Sequence, residues 1–334
     1  RLCYIGNRGI GALEFEPTVR KATRSKKLEV AQLVDLANRV LSERENLAGR
    51  LGGEDDAEAL EDILSVGTSA GGARAKAVLA WSRDTGEFRS GQVIVDEGYE
   101  HWLLKFDGVS NNRDKELADP QGFGKIEYAY YLMATAAGIG MSECRLHHEC
   151  GRSHFMTRRF DRDERGRKVH MQSLGAMQHF DFNDPASYSY EQAIMTIRDL
   201  GLGMDVVEQQ YKRAIFNVVA RNQDDHVKNI SFLMDRSGTW RLSPAYDVAY
   251  SYNPFGSWTR DHQMSLAGKR NDFTYGDLMV FASNVGLKSN RASQAIEEIL
   301  GAVAQWHEFA ERAGVEHSDV SRIEKTFRMN LGDK

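Results

Sequence analysis

Asp224 and Asn229 stand five positions apart in Ala220-Arg-Asn-Gln-Asp-Asp-His-Val-Lys-Asn229, and Asp247 follows in Ser243-Pro-Ala-Tyr-Asp247. One carboxylate can orient or deprotonate a hydroxyl, while an amide and a second carboxylate hold a divalent cation against polyphosphate. That is the oxygen set phosphoryl transfer requires. His226 and Lys228 lie inside the same candidate loop. The chain between Asn229 and Asp247 reads as a short hairpin, with strand patterns at 230–234 and 239–242 around a turn at Asp235-Arg-Ser-Gly238. Such a hairpin returns the chain to its start and is expected to set Asp247 beside Asn229.

The elements that must position these groups can be followed along the chain. Residues 204–219 carry Val207, Tyr211, Ile215 and Val218 or Val219 on one face at helical spacing. This predicted helix runs straight into Asn222 and so positions the loop. Far upstream, residues 66–81 are rich in glycine and alanine. Ser69, Ala70, Gly71, Gly72, Ala73 and Lys76 form a stretch whose unhindered amides can cradle phosphate oxygens. The pattern is neither a Walker A sequence nor G-x-G-x-x-G; its position gives it weight. A strand at 77–81, a turn at Asp84-Thr-Gly86 and a strand ending His101-Trp-Leu-Leu-Lys105 follow it. Protein kinases put the lysine that grips the α- and β-phosphates at the end of such a strand, and they space their loop Asp and metal-binding Asn as Asp224 and Asn229 are spaced.

Residues 124–138 predict a helix with a glycine stop. Glu127 falls in its expected first turn, where it either suits the helix dipole or pairs with Lys105. A hairpin over 142–160 ends in Arg159, Phe160 and Asp161, and Asp161 either faces an adenosine ribose or begins a turn. Helices are expected at 190–200, from Thr274, at 292–313 and at 320–329. The fold expected is α+β and two-lobed, like a protein kinase. A β-containing N-terminal lobe covers 1–160 and an all-helical C-terminal lobe covers 161–334.

Composition narrows the function classes. At 334 residues, 41% hydrophobic and 27% charged, the chain is an ordinary globular protein, and no apolar run reaches the roughly 20 residues of a membrane span. A net charge of −5 gives no global signal for nucleic acid; Arg20, Lys21, Arg24, Lys26 and Lys27 read as a solvated surface cluster. Three cysteines are too few for a disulfide framework and suit a reducing cytoplasm. Cys144, His147, His148, Cys150 and His154 match no compact zinc spacing and read as a structural hairpin around Gly151. The start at Arg1, without Met and on a strand-like Leu2-Cys-Tyr-Ile5, leads us to expect that an N-terminal part has been left out or is disordered.

Taken in order, Ser69 to Lys76, Lys105, Glu127, Arg159-Phe-Asp161, Asn222 to Asn229 and Tyr246-Asp247 resemble the HipA family of bacterial serine/threonine kinases, the toxins of toxin–antitoxin pairs. The resemblance covers most of the chain. It implies ATP with Mg²⁺ as cofactors and phosphate transfer to a protein seryl or threonyl group, with aminoacyl-tRNA synthetases among the family's substrates. It implies Asp224 as the catalytic aspartate, Asn229 and Asp247 as metal ligands, Lys105 as the phosphate-gripping lysine, and Ser69 as the site of self-inactivating autophosphorylation. It also implies a HipB-like DNA-binding antitoxin as partner, with DNA reached only through that antitoxin, and no membrane. Two other readings stand beside it. One is a lipid or small-molecule kinase, because Asp-x-His-x-x-Asn is also a phosphoinositide-kinase pattern; the other is a catalytically silent, antitoxin-binding co-repressor.

Overall fold

The computed structural model describes residues 75–91, 97–108 and 121–332, together with 3, 6, 9–18 and 27–31. The chain divides into two compact units, Arg1–Gly124 with Glu143–His170, and Lys125–Ser142 with Met171–Lys334. The division therefore does not fall at residue 160: the segment 125–142 belongs with the later part of the chain.

The first unit is built on a six-stranded sheet in the order β1-β3-β2-β4-β6-β5, formed by β1 (Lys27–Leu28), β2 (Lys76–Ser82), β3 (Phe88–Ser90), β4 (Tyr99–Lys105), β5 (Cys144–Glu149) and β6 (Arg152–Arg158). Every pairing is antiparallel. The alternation in β4 sends Trp102 and Leu104 into a core with Ala77, Leu79, Phe88, Phe106 and Met156. Trp102 meets Trp81 edge to face, with ring centroids 5.7 Å apart. The hairpin expected around Gly151 forms as β5 and β6. Cys150 and Gly151 take positive φ of 45° and 74° at its tip. His154 is fully buried in it, and its Nδ1 accepts the Asp107 amide at 2.9 Å.

The second unit holds helices α1 (Phe123–Ala136), α2 (Leu174–Met177), α3 (Tyr190–Asp199), α4 (Met204–Val219), α5 (Tyr275–Asn284), α6 (Ser289–Val303), α7 (Trp306–Ala313) and α8 (His317–Glu324). Helix α4 buries Val207, Tyr211, Ile215, Val218 and Val219, the face its periodicity predicts. Helices α3 and α5 both begin in reciprocal capping boxes, Ser189 with Gln192 and Thr274 with Asp277.

Three expectations are corrected. The C-terminal half is not all-helical: β7 (His170–Ser173), β8 (Ser231–Met234) and β9 (Trp240–Leu242) form a three-stranded sheet, because the chain must double back after Asn229 to bring Asp247 home. The helix expected over 292–313 is two, broken at Ala304 and Gln305. The break turns Trp306 fully inward, where its indole N–H donates to the Val320 carbonyl at 3.1 Å. The last helix stops at Glu324 rather than running to residue 329, since the following segment packs back against the loop after α4: Arg221 Nε donates to the Thr326 carbonyl at 2.6 Å, and the Arg328 amide donates to the Val219 carbonyl at 3.0 Å. The helix expected from Val30 lies almost wholly outside the described residues.

Trp306 also makes edge contacts with Tyr130 and Phe327 at 5.6 and 5.7 Å. Trp306→Ala would remove a fully buried indole and its hydrogen bond to the Val320 carbonyl. We expect a loss of about 3–5 kcal/mol of unfolding free energy in a denaturant titration. A loss below about 1 kcal/mol would show that the site collapses around the gap. Among the described residues, no helix is long and apolar enough to cross a membrane.

Candidate active site

The loop 220–229 starts where α4 stops. Ala220 caps the helix, and Arg221 takes a positive φ of 59°, a left-handed turn that an arginine adopts only when its surroundings hold it there. Two contacts do so: the bond to the Thr326 carbonyl, and stacking of the guanidinium over Tyr252 with 4.4 Å to the ring centroid. The Tyr130 hydroxyl of α1 donates to the Ala220 carbonyl at 2.5 Å. Beyond the turn, Ser251 Oγ accepts the amides of Gln223 and Asp224 at 2.7 and 2.9 Å, and Asn229 Nδ2 donates to the Asp224 carbonyl at 2.8 Å. The loop is thereby closed on itself, with Asp224 and Asn229 directly linked.

That link commits the Asn229 side-chain nitrogen and leaves its oxygen as the atom that could accept a cation. The hairpin returns the segment that leads into Asp247 to the end of the loop. The Ser243 amide donates to the Ser231 carbonyl at 2.9 Å, and the Tyr246 hydroxyl donates to the carbonyl of Lys228, the residue before Asn229. Asp247 itself has a positive φ of 52°, a sparsely populated conformation that concentrates at functional sites. Hard oxygen donors, an amide and a carboxylate, suit Mg²⁺, which takes few protein ligands and completes its shell with phosphate and water. Among the described residues, no group of three or more His, Cys, Asp or Glu side chains is placed to hold a metal ion by itself.

The Asp224 side chain keeps 42% of its surface exposed. Its carboxyl is nevertheless pushed above the ordinary aspartate value, first by the desolvating packing around it and then by the carboxylates of Asp247 and Asp225; His226 and the Trp258 indole oppose this. A raised carboxyl is a better proton acceptor. His226 Nε2 lies 3.8 Å from Asp224 Oδ1, and its ring meets Phe182 and Trp258. Lys228 is exposed, with its ammonium over the Phe182 ring.

The upstream candidates fall in different places. Ser69, Ala70, Gly71, Gly72 and Ala73 lie outside the described residues. Lys76 and Lys105 are directly opposite each other in the β2–β4 pair, and both are buried, 5% and 7% exposed. Residues directly opposite in an antiparallel pair project from the same face of the sheet, and the Lys105 ammonium lies over the Phe155 ring, 5.7 Å from its centroid. Glu127 is 2% exposed and is the fifth residue of α1, past the first turn. Its expected place in the first turn is therefore corrected, because the helix starts at Phe123, and the dipole explanation for this acid falls away.

Arg159 and Asp161 form a bidentate pair at 2.9 and 2.7 Å, and Arg162 adds a third contact at 3.2 Å; Phe160 is half-buried between them. Burial alone would raise the Asp161 carboxyl, yet these arginines hold it below the ordinary range. A depressed carboxyl lends stability at pH values above its unfolded value near 4, and that stability drains away as pH falls through the folded value. We therefore expect Asp161→Asn to cost stability at pH 7, with the gap to wild type closing as denaturant titrations are run below about pH 4. A gap that stays constant down to pH 2 would remove Asp161's charge from the account.

Two residues escaped the sequence reading. Trp258 Nε1 donates to Asp224 Oδ1 at 2.8 Å. Asp225, completely buried, takes bonds from Tyr190, His262 and Gln263. The doubled aspartate at 224–225 was the available signal for the second.

Residues 68–307 match the model of the HipA-like C-terminal domain. The chain belongs to that family. A putative kinase of Haemophilus influenzae is 26% identical over 201 residues, which are 53% of this chain and 59% of the relative, so the match spans well under two thirds of that protein's length. Among solved structures, the HipA of Shewanella oneidensis, in a complex with HipB and operator DNA, superposes with a TM-score of 0.66 at 16% identity, covering 97% of this chain and 75% of that one. The Helicobacter pylori kinase CtkA gives a TM-score of 0.41 at 12% identity over 67% of this chain and 92% of that one. The fold is HipA-like, with mixed helices and antiparallel sheet, and the family is one of kinase-like proteins.

Proposed function

We propose that this protein is an ATP-dependent protein kinase that phosphorylates seryl or threonyl hydroxyls, acting as the toxin of a toxin–antitoxin pair in the cytoplasm. The observation that carries the reading is the closed loop in which Asn229 binds the Asp224 carbonyl while Tyr246, next to Asp247, binds the Lys228 carbonyl. Three oxygen-bearing groups far apart in function are drawn onto one short stretch of backbone. Asp224, with its raised carboxyl, accepts or orients the proton of the substrate hydroxyl. Asn229 and Asp247 hold the cation, and Lys105 holds the phosphates. Bound Mg²⁺ would supply charge neutralisation between the β- and γ-phosphates. Lys76 and the loop amides from Ser69 to Ala73 contribute to the phosphate cradle, Arg159 to Asp161 border the nucleotide, and His226 and Lys228 flank the acceptor.

A HipB-like antitoxin is the partner that the Shewanella complex suggests, with DNA reached through it. Autophosphorylation of Ser69 would put nearly two negative charges into a loop built for phosphate and so switch the enzyme off. Incubation with labelled ATP and Mg²⁺, followed by mass spectrometry of the protein and of a lysate, tests the reading. Phosphoserine or phosphothreonine on Ser69 or on a lysate protein is expected. Labelled lipid or metabolite alone would point to the small-molecule alternative, and no transfer at all to a silent co-repressor.

A further inference from the structure

The segment that follows Asp247 returns to the catalytic loop and is fastened to it on both sides of Asp224. On one side, Gln223 Nε2 donates to the Arg260 carbonyl at 2.8 Å. On the other, the Gln263 amide donates to Asp225 Oδ1 at 2.8 Å, while Asp225 Oδ2 takes the Tyr190 hydroxyl at 2.6 Å and His262 Nδ1 at 2.7 Å. His262 is fully buried, and its Nε2 faces Arg328 Nη1 at 3.0 Å. A guanidinium can only donate, so Nε2 is the acceptor and the ring proton sits on Nδ1, aimed at Asp225. Arg328 in turn donates to the Val218 carbonyl at 2.8 Å and to Asn271 Oδ1 at 2.6 Å. Gln263 Nε2 also donates to the Trp258 carbonyl. The chain of buried bonds therefore runs from α3, through Asp225, to the backbone of Trp258.

At the end of this chain the Trp258 indole N–H meets Asp224 Oδ1 at 2.8 Å. The phosphoryl-transfer reading gives Asp224 a task, but leaves open which of its two oxygens faces the acceptor. We infer that Trp258 is the positioning residue for Asp224: its N–H reserves Oδ1, presents Oδ2 to the substrate hydroxyl, and is held in place by Asp225 through Gln263. This rests on the kinase reading and extends it to a residue outside the loop. No nucleotide contact is involved, so the effect belongs in turnover rather than in nucleotide affinity. Asp225 is an aspartate and not an asparagine for a physical reason: three donors converge on its two oxygens, and an amide offers only one.

The test is steady-state phosphoryl transfer and ADP–Mg²⁺ affinity for wild type, Trp258→Phe, Asp225→Asn and the double variant. Phenylalanine keeps a ring beside His226 and Phe182 and removes only the indole and its donor. Loss of a hydrogen bond to a charged group predicts a kcat lowered roughly tenfold or more, with ADP affinity within twofold of wild type. Asp225→Asn should lower kcat in the same way, and the double variant should fall no further than the lower single variant, because both act through one bond. A merely structural role would lower the melting temperature without this non-additivity. Three results overturn the inference: a Trp258→Phe kcat within twofold of or above wild type, a matching loss of ADP affinity, or fully additive losses. If Asp225→Asn does not fold, Tyr190→Phe takes its place, with a smaller kcat loss expected and an unchanged kcat overturning the link. A wild type without any transfer overturns the kinase reading itself, and this inference with it.

Discussion

Asp224→Asn is expected to lower phosphoryl transfer by about 10²- to 10⁴-fold, some 3–5 kcal/mol of barrier, while ATP–Mg²⁺ still binds. The amide keeps the size of the side chain, and the Asp224 backbone keeps its bonds to Ser251 and Asn229. The Trp258 N–H can still donate to an amide oxygen at this position, so the loop should retain its shape. What disappears is the proton acceptor. The charge also disappears, and with it part of the repulsion that Asp247 and Asp225 exert on Asp224. Folding stability should therefore hold or rise slightly, which separates a catalytic loss from a structural one. Single-turnover transfer and ADP affinity, measured on the same preparation, check both halves. Transfer near the wild-type rate would remove Asp224 from the acceptor role.

Asp247→Asn should act in the opposite pattern. In the proposed function its carboxylate would offer the cation a full negative charge beside the neutral amide of Asn229. Replacing it is expected to weaken Mg²⁺-dependent ATP binding by at least tenfold and to lower transfer at any fixed Mg²⁺ concentration. Raising Mg²⁺ should recover part of the loss, since a weakened site still fills by mass action. The positive φ of 52° is tolerated by asparagine about as well as by aspartate, so the backbone should not be the cause. Titration of nucleotide affinity against Mg²⁺ in wild type and variant provides the readout. Affinity insensitive to the substitution would make Asp247 a turn residue held by Tyr246.

These two variants probe the part of the molecule that was most legible without coordinates. Asp224, Asn229 and Asp247 are separated by short stretches whose geometry is local: a helix end, a loop and a two-strand hairpin. Local geometry is carried by spacing and turn residues, so α4 and the hairpin of β8 and β9 follow from the chain itself. The capping box at Thr274 and the hairpin around Gly151 are legible for the same reason. Glu127 shows where such reading slips, because a start shifted by one residue carried it out of the first turn of α1 and changed its meaning.

What only the tertiary structure decided are the contacts between segments with no sequence relation. Nothing in the residues around Trp258 marks it as a donor to Asp224. Arg328 falls in the tail of the helix expected over 320–329, and only packing shows it buried with His262 beside Asp225. Asp161 reads as facing a ribose or beginning a turn, whereas folding turns both Arg159 and Arg162 onto it. Sequence spacing encodes which groups can do chemistry along one local stretch. Which oxygen of Asp224 takes the Trp258 N–H depends on a side chain 34 residues away, brought there by burial of the surfaces between them.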